Sequence, residues 1–138
     1  MPIDWSTIKE GTVLPSWTAP PLTRMEIVRY QGASGDFDPA HHDDEHARRF
    51  GYPGVFSLGM LHAGVLSGWL ARHAPPDKIR RFRARFVAVA YPGDVLTYKG
   101  RIAAIRQAEG SKWADFEMNC ERADGTVVTQ AWASVLIS

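Results

Sequence analysis

The sequence predicts an α+β domain in which an antiparallel sheet wraps a long apolar helix. Three observations carry this. Residues 55–72, VFSLGMLHAGVLSGWLAR, are apolar on nearly every helical face. From Ile79 onward the period drops to two, with Phe82, Ala84, Phe86 and Ala88 alternating with Arg81, Arg83 and Arg85. Turn signals then recur at Tyr91-Pro-Gly-Asp94, Glu109-Gly110 and Ala123-Asp-Gly-Thr126.

Taken in order, residues 12–17 read as one short strand, stopped by Pro20 and Pro21. Thr23 with Glu26 three residues on has the form of a capping box and starts a helix over 24–30, which Gly32 and Gly35 end. Asp43 is a second N-cap, for a two-turn helix with Asp44 and Glu45 at its positive end and Gly51 as its stop. The long helix follows. Its small residues (Gly59, Ala63, Gly64, Gly68) suggest that a sheet approaches it closely, since each exposed helical glycine costs about 1 kcal/mol relative to alanine. Strands at roughly 79–90, 94–107, 112–122 and 126–137 form a meander. A sheet curled round a helix is the hot-dog arrangement, and 138 residues fit one such domain.

Composition narrows the function. Sixteen Lys and Arg against fifteen Asp and Glu leave a net charge of +1, so no global field recruits nucleic acid or an anionic membrane. The one cysteine, Cys120, has no partner within the chain, and MPIDWSTIKEG has neither the basic nor the apolar region of a secretion signal. The expected compartment is the cytoplasm. No apolar run reaches the roughly 18 residues of a membrane span. Cys120 falls on the apolar face of a strand and reads as core.

The chemistry concentrates in residues 32–46, GASGDFDPAHHDDEH, which hold five carboxylates and three histidines. His42 and His46 are four apart, the spacing of zinc ligands on one helical face, but no third ligand or paired-cysteine motif accompanies them. Two solvent-facing histidines beside a helix start is the simpler reading. Asp36 and His41 flank Phe-Asp-Pro in a segment that Pro39 keeps from being an ordinary helix. Such a loop brings a carboxylate and an imidazole to one point where water is held and deprotonated. Spacing alone favours the plainer reading, in which Asp36 caps a turn and His41 faces solvent. His62 reads as a hydrogen-bonded core histidine or a pocket wall, and Trp69, Trp113 and Trp132 as core or interface anchors.

The run Ser34-Gly-Asp-Phe-Asp-Pro-Ala-His41, followed by Asp43, Ala47, Gly59-Met-Leu and RFVAVAYPGDVL (residues 85–96), resembles the (R)-specific enoyl-CoA hydratases and dehydratases of the MaoC-like hot-dog family. The resemblance implies that Asp36 and His41 form a dyad that adds water to a trans-2-enoyl thioester, reversibly and without a cofactor. It implies that the Gly59 N–H polarises the thioester carbonyl, which suits a helix N-terminus, and that Ser67 supports the site. Ser67 read alone is equally a small helix residue bonded to its own backbone. Arg81, Arg83 and Arg85 are candidates for the phosphates of coenzyme A, or a plain solvated face. The expected substrate is an acyl-CoA or acyl-carrier-protein thioester. The expected assembly is a homodimer or a heterodimer with a paralogue, because a half-exposed sheet round one helix leaves an apolar face open.

The chain departs from the family at Asp38, commonly Asn, and at Leu58, commonly His. Two other functions compete. A hot-dog thioesterase would place a carboxylate on the central helix, where residues 55–72 have none. A non-catalytic acyl-thioester-binding partner subunit would have no need to keep both dyad residues.

Overall fold

A computed structural model describes residues 3–138. Five strands form one antiparallel sheet: β1 (Trp17–Thr18), β2 (Ile79–Phe86), β3 (Leu96–Ala108), β4 (Ser111–Arg122) and β5 (Val127–Leu136), in the order β1-β3-β4-β5-β2. Three α-helices lie before the meander: α1 (Arg24–Ser34), α2 (Asp44–Arg49) and α3 (Gly59–His73). Among the described residues, no helix is long and apolar enough to cross a membrane.

The meander follows from its turns. Glu109 and Gly110 both have positive φ (54° and 74°), as a tight two-residue hairpin demands, and register runs from Ala108↔Ser111 to Leu96↔Arg122. Gly93 (φ 93°) reverses the chain at Tyr91-Pro-Gly-Asp94, with Asp94 N–H donating to the Tyr91 carbonyl at 3.0 Å. Strand alternation then sorts the faces. Ala114, Phe116, Met118 and Cys120 of β4 and Ala131, Ala133 and Val135 of β5 are buried against α3, whose inward face is Ala63, Leu66, Trp69 and Leu70. Cys120 is wholly buried, which pushes its thiol up to about 12. The outer face carries cross-strand pairs such as Arg101–Glu117 and Arg106–Asp115.

Five expectations are corrected. The first strand is split: Val13 bridges to Arg101, and regular pairing resumes only at Trp17, because Pro15 has no N–H for a ladder. Helix α1 runs through Gly32 to Ser34 and ends only at Gly35, which adopts φ 75° and closes the last turn onto the Gln31 carbonyl at 2.9 Å. Residues 55–58 are an extended strap, not helix, held where Ser57 N–H donates to the Ala90 carbonyl at 2.8 Å. Finally, α3 is not enclosed all round. Gly64 and Gly68 have open space where a Cβ would stand, and Met60 is 57% exposed. Close approach by the sheet occurs at Gly59, where a Cβ would sit 2.8 Å from the Phe86 ring.

β2 also stops short of residue 90. Val87 and Ala88 N–H both turn to the Val128 carbonyl, at 2.9 and 3.2 Å, so the ladder ends at Phe86.

Candidate active site

The site is built on the reversal that ends α1. Thr23 accepts from Glu26 N–H at 3.2 Å and Glu26 reciprocates at the Thr23 N–H, so the helix starts in the capping box its sequence announces. Gly35 turns the chain back across the last turn. There Gln31, 2% exposed, turns its side-chain amide to the loop. Its Nε2 donates to the carbonyls of Asp36 (3.0 Å) and Asp38 (3.1 Å), and its Oε1 lies 3.2 Å from His42 Nδ1. Only an amide group offers two donors and an acceptor in this arrangement.

Within the loop, Asp36 Oδ1 accepts from the Asp38 N–H at 3.2 Å, and Asp38 Oδ1 accepts from Ala40 N–H at 2.9 Å. Asp38 is therefore the N-cap of the 3₁₀ turn Pro39–His41. This explains the residue as a cap, a role that Asn fills equally well. The turn delivers His41 against residues 55–58. His41 Nδ1 lies 2.6 Å from the Phe56 carbonyl, with the two rings edge to face at 4.9 Å. A carbonyl only accepts, so Nδ1 carries the proton and Nε2 keeps the lone pair.

Phe56 stands three residues before Gly59, so the bond that orients His41 also ties it to the start of α3. Leu58 N-caps that helix without a side-chain bond, and within the first turn the Leu61 N–H donates to the Leu58 carbonyl at 3.1 Å. Phe86 packs on Gly59 so closely that no side chain fits there. Asp44 completes the frame. Its carboxylate accepts from Val55 N–H at 2.9 Å and pairs with Arg24 at 2.8 Å, and these two contacts, the peptide first, hold its pKa below the ordinary aspartate value.

The structure thus places Asp36 and His41 on one loop and ties that loop, through His41 and Phe56, to the segment that precedes Gly59. The other expected residues lie elsewhere. Ser67 is half-buried on α3, eight residues and therefore about 12 Å down the helix axis from Gly59. Arg81, Arg83 and Arg85 pair in register with Ser134, Trp132 and Gln130 on the outer face, away from α3, and Arg83 lies 4.7 Å over the Trp132 ring. His42 precedes α2 and bonds to Gln31, while His46 packs on Phe50 at 5.0 Å, so the two share no helical face. No group of three or more His, Cys, Asp or Glu among the described residues is placed to hold a metal ion.

Sequence reasoning missed Gln31 and Phe56. Gln31 stands four residues before Gly35, which marks it as last-turn, but nothing local reveals that its side chain serves the loop. Phe56 acts through a carbonyl, which residue identity does not encode.

A MaoC-like domain model matches residues 9–117. The chain belongs to the MaoC-like domain family. Among relatives of this MaoC-like chain is the mitochondrial 3-hydroxyacyl-[acyl-carrier-protein] dehydratase FERN of Solanum lycopersicum, 25% identical over 94% of this chain and 78% of that protein. A solved MaoC-like dehydratase is 26% identical with a TM-score of 0.85, over 97% of this chain and 42% of that one. The (R)-hydratase from A. caviae involved in PHA biosynthesis shares the fold, at TM-score 0.80 and 21% identity over 94% and 96% of the two chains. The α+β hot-dog expectation is met, and dehydratase or hydratase chemistry is that of the MaoC-like family.

Proposed function

We propose that the chain is an (R)-specific hydratase/dehydratase that adds water to trans-2-enoyl thioesters and removes it again. The observation that carries this reading is the His41–Phe56 bond. It fixes His41, which lies five residues after Asp36 on one loop, to the segment that opens α3, with Nδ1–H as the donor and Nε2 free of that bond. Membership of the MaoC-like family and the Ser34-to-His41 run support the same chemistry.

The proposed reaction uses the chain's own groups. The substrate carbonyl takes the Gly59 N–H at the positive end of α3. As water held by Asp36 and His41 Nε2 attacks C3, negative charge grows on the thioester oxygen, where that N–H and the helix dipole stabilise it. The dyad takes a proton from water and returns one to C2, acting as a coupled unit. The addition is redox-neutral, and dehydration retraces it. Specificity for the (R) product follows the resemblance.

The same reading includes a dimer, with a second copy or a homologous chain. Among the described residues the outer edge of β2 has no strand beyond it in the sheet, and Met60, Phe86 and Val87 beside it are 57%, 53% and 50% exposed. Sedimentation of the purified chain tests pairing with a second copy; a monomer at micromolar concentration contradicts the homodimer and leaves only pairing with a homologous chain. The reaction is tested by loss of enoyl absorbance from short and long trans-2-enoyl-CoA thioesters. Wild type consumes them and Asp36→Asn does not; a wild type inert towards all of them ends the reading.

A further inference from the structure

The outer face of the sheet settles its charges across strands. Arg101 of β3 meets Glu117 of β4 at 2.8 Å, Lys99 meets Glu121 at 2.7 Å, and Arg106 meets Asp115 at 2.6 Å, with the Ser134 hydroxyl of β5 donating to Asp115. β2 breaks this pattern. Its outer residues Arg81, Arg83 and Arg85 stand opposite Ser134, Trp132 and Gln130, none of them a carboxylate. All three arginines are exposed, and among the described residues none is in an ion pair. Arg83 rests on the Trp132 ring at 4.7 Å, which orients its charge without neutralising it.

This row lies on a long free edge. Among the described residues β1, at the opposite edge, has two residues, whereas β2 has eight. The inner face of β2 is unfinished as well: Phe82 and Ala84 are only half-buried and Phe86 is 53% exposed. An edge guarded against pairing shows charge and little apolar surface. β2 shows an apolar row on one face and a cationic row on the other, so an added strand completes both when it brings apolar residues inside and carboxylates outside. A carrier's phosphates would neutralise the arginines but leave Phe82, Ala84 and Phe86 uncovered.

A second copy does not supply the carboxylates. A twofold axis that keeps both helices on one face of a continuous sheet sets β2 antiparallel to itself, with outer residues against outer residues. Centred on Arg83, every opposed pair in the row is Arg against Arg, and a slip of two residues still leaves two such pairs. Like charges directly opposite across strands destabilise the pairing.

We propose that the β2 edge takes the edge strand of a homologous chain of the same fold, one that presents Asp or Glu opposite Arg81, Arg83 and Arg85, and that the arginine row works against self-pairing. The inference rests on the dimer included in the hydratase reading and deepens it by naming the chemistry of the partner. Complementary charge across an interface favours the right partner and excludes the wrong one.

The test uses the full chain and a charge-reversed copy carrying Arg81→Glu, Arg83→Glu and Arg85→Glu, which is itself a chain of the same fold with an acidic edge. Sedimentation at micromolar concentration in about 0.1 M salt should show each chain alone as a monomer and the mixture as a 1:1 dimer, associating at least about tenfold more tightly than either chain with itself. Raising the salt to about 0.5 M should narrow that gap. A second copy with Arg81→Gln, Arg83→Gln and Arg85→Gln removes the repulsion alone, and decides the matter even if the acidic copy does not fold. It should self-associate at least about tenfold more tightly than wild type. The proposal is overturned if wild type self-associates as tightly as the mixture, if the mixture of folded chains stays monomeric, or if the glutamine copy self-associates no better than wild type. A wild type that pairs with itself defeats this inference and leaves the dimer standing. Monomers in wild type, mixture and glutamine copy alike defeat the dimer with it, while the enoyl absorbance assay judges the hydratase chemistry separately.

Discussion

His41 Nδ1 and the Phe56 carbonyl oxygen, 2.6 Å apart, join the candidate acid/base loop to the strap that opens α3. The bond selects the tautomer with Nε2 free, which is the form able to take a proton from water. Histidine ¹⁵N spectra of the neutral ring should show His41 as the Nδ1–H form. His41→Ala should lower kcat by about 10²–10⁴, the range of a general acid/base group. A loss below tenfold would show that the proton goes elsewhere.

Gln31 makes the loop a rigid platform. Gln31→Leu strips donors from the carbonyls of Asp36 and Asp38, so stability should fall by about 1–3 kcal/mol and kcat by more than KM changes, because Asp36 loses its position. Asp38→Asn keeps the cap and should behave like wild type, whereas Asp38→Ala should cost about 1 kcal/mol. Thermal unfolding and steady-state kinetics on the three variants read both effects. Equal behaviour of Asp38→Asn and Asp38→Ala would contradict the capping role.

Gly59 and Phe86 form a second coupled pair. An alanine Cβ would meet the Phe86 ring at 2.8 Å, so Gly59→Ala must displace the ring or the helix start. Activity should fall at least tenfold, and Phe86→Leu in the same chain should restore part of it. No rescue would mean that the glycine is needed for substrate access alone. The double-mutant cycle on kcat/KM decides.

These pairs show what was legible in the sequence. The meander was, because period-two alternation and Asp-Gly or Glu-Gly turns are local codes; so were the Thr23 and Asp43 caps. Asp36, His41 and Gly59 stood out by their motif, and the fold ties the loop of the first two to the segment that precedes Gly59. The glycines of α3 misled, since their spacing says nothing of which face meets the sheet: only Gly59 is tightly packed. Pro15 carried its message, a broken ladder, within a run that otherwise reads as strand. Gln31, Phe56 and the unpaired Nε2 of His62 depend on contacts between segments, which no local pattern encodes.

His62 gives the fold an acid sensitivity of its own. Burial lowers its pKa from 6.5 to about 4, so between those values the unfolded chain holds a proton that the native one does not. Stability should be unaffected by this group above pH 6.5 and fall as pH drops from 6.5 to 4, by up to about 1.4 kcal/mol per pH unit. Denaturant titrations at pH 7, 6, 5 and 4 should show the slope in wild type and a flatter one in His62→Phe. Parallel slopes would mean that the buried ring is not the source.

The central claim is that Asp36 and His41 act as one catalytic unit on an enoyl thioester. Its most direct test is the hydration rate of trans-2-enoyl-CoA by wild type, Asp36→Asn, His41→Ala and the double variant. The account predicts that each single change costs about as much as both together, as residues of one unit do. Additive losses, or either single variant within tenfold of wild type, would contradict it.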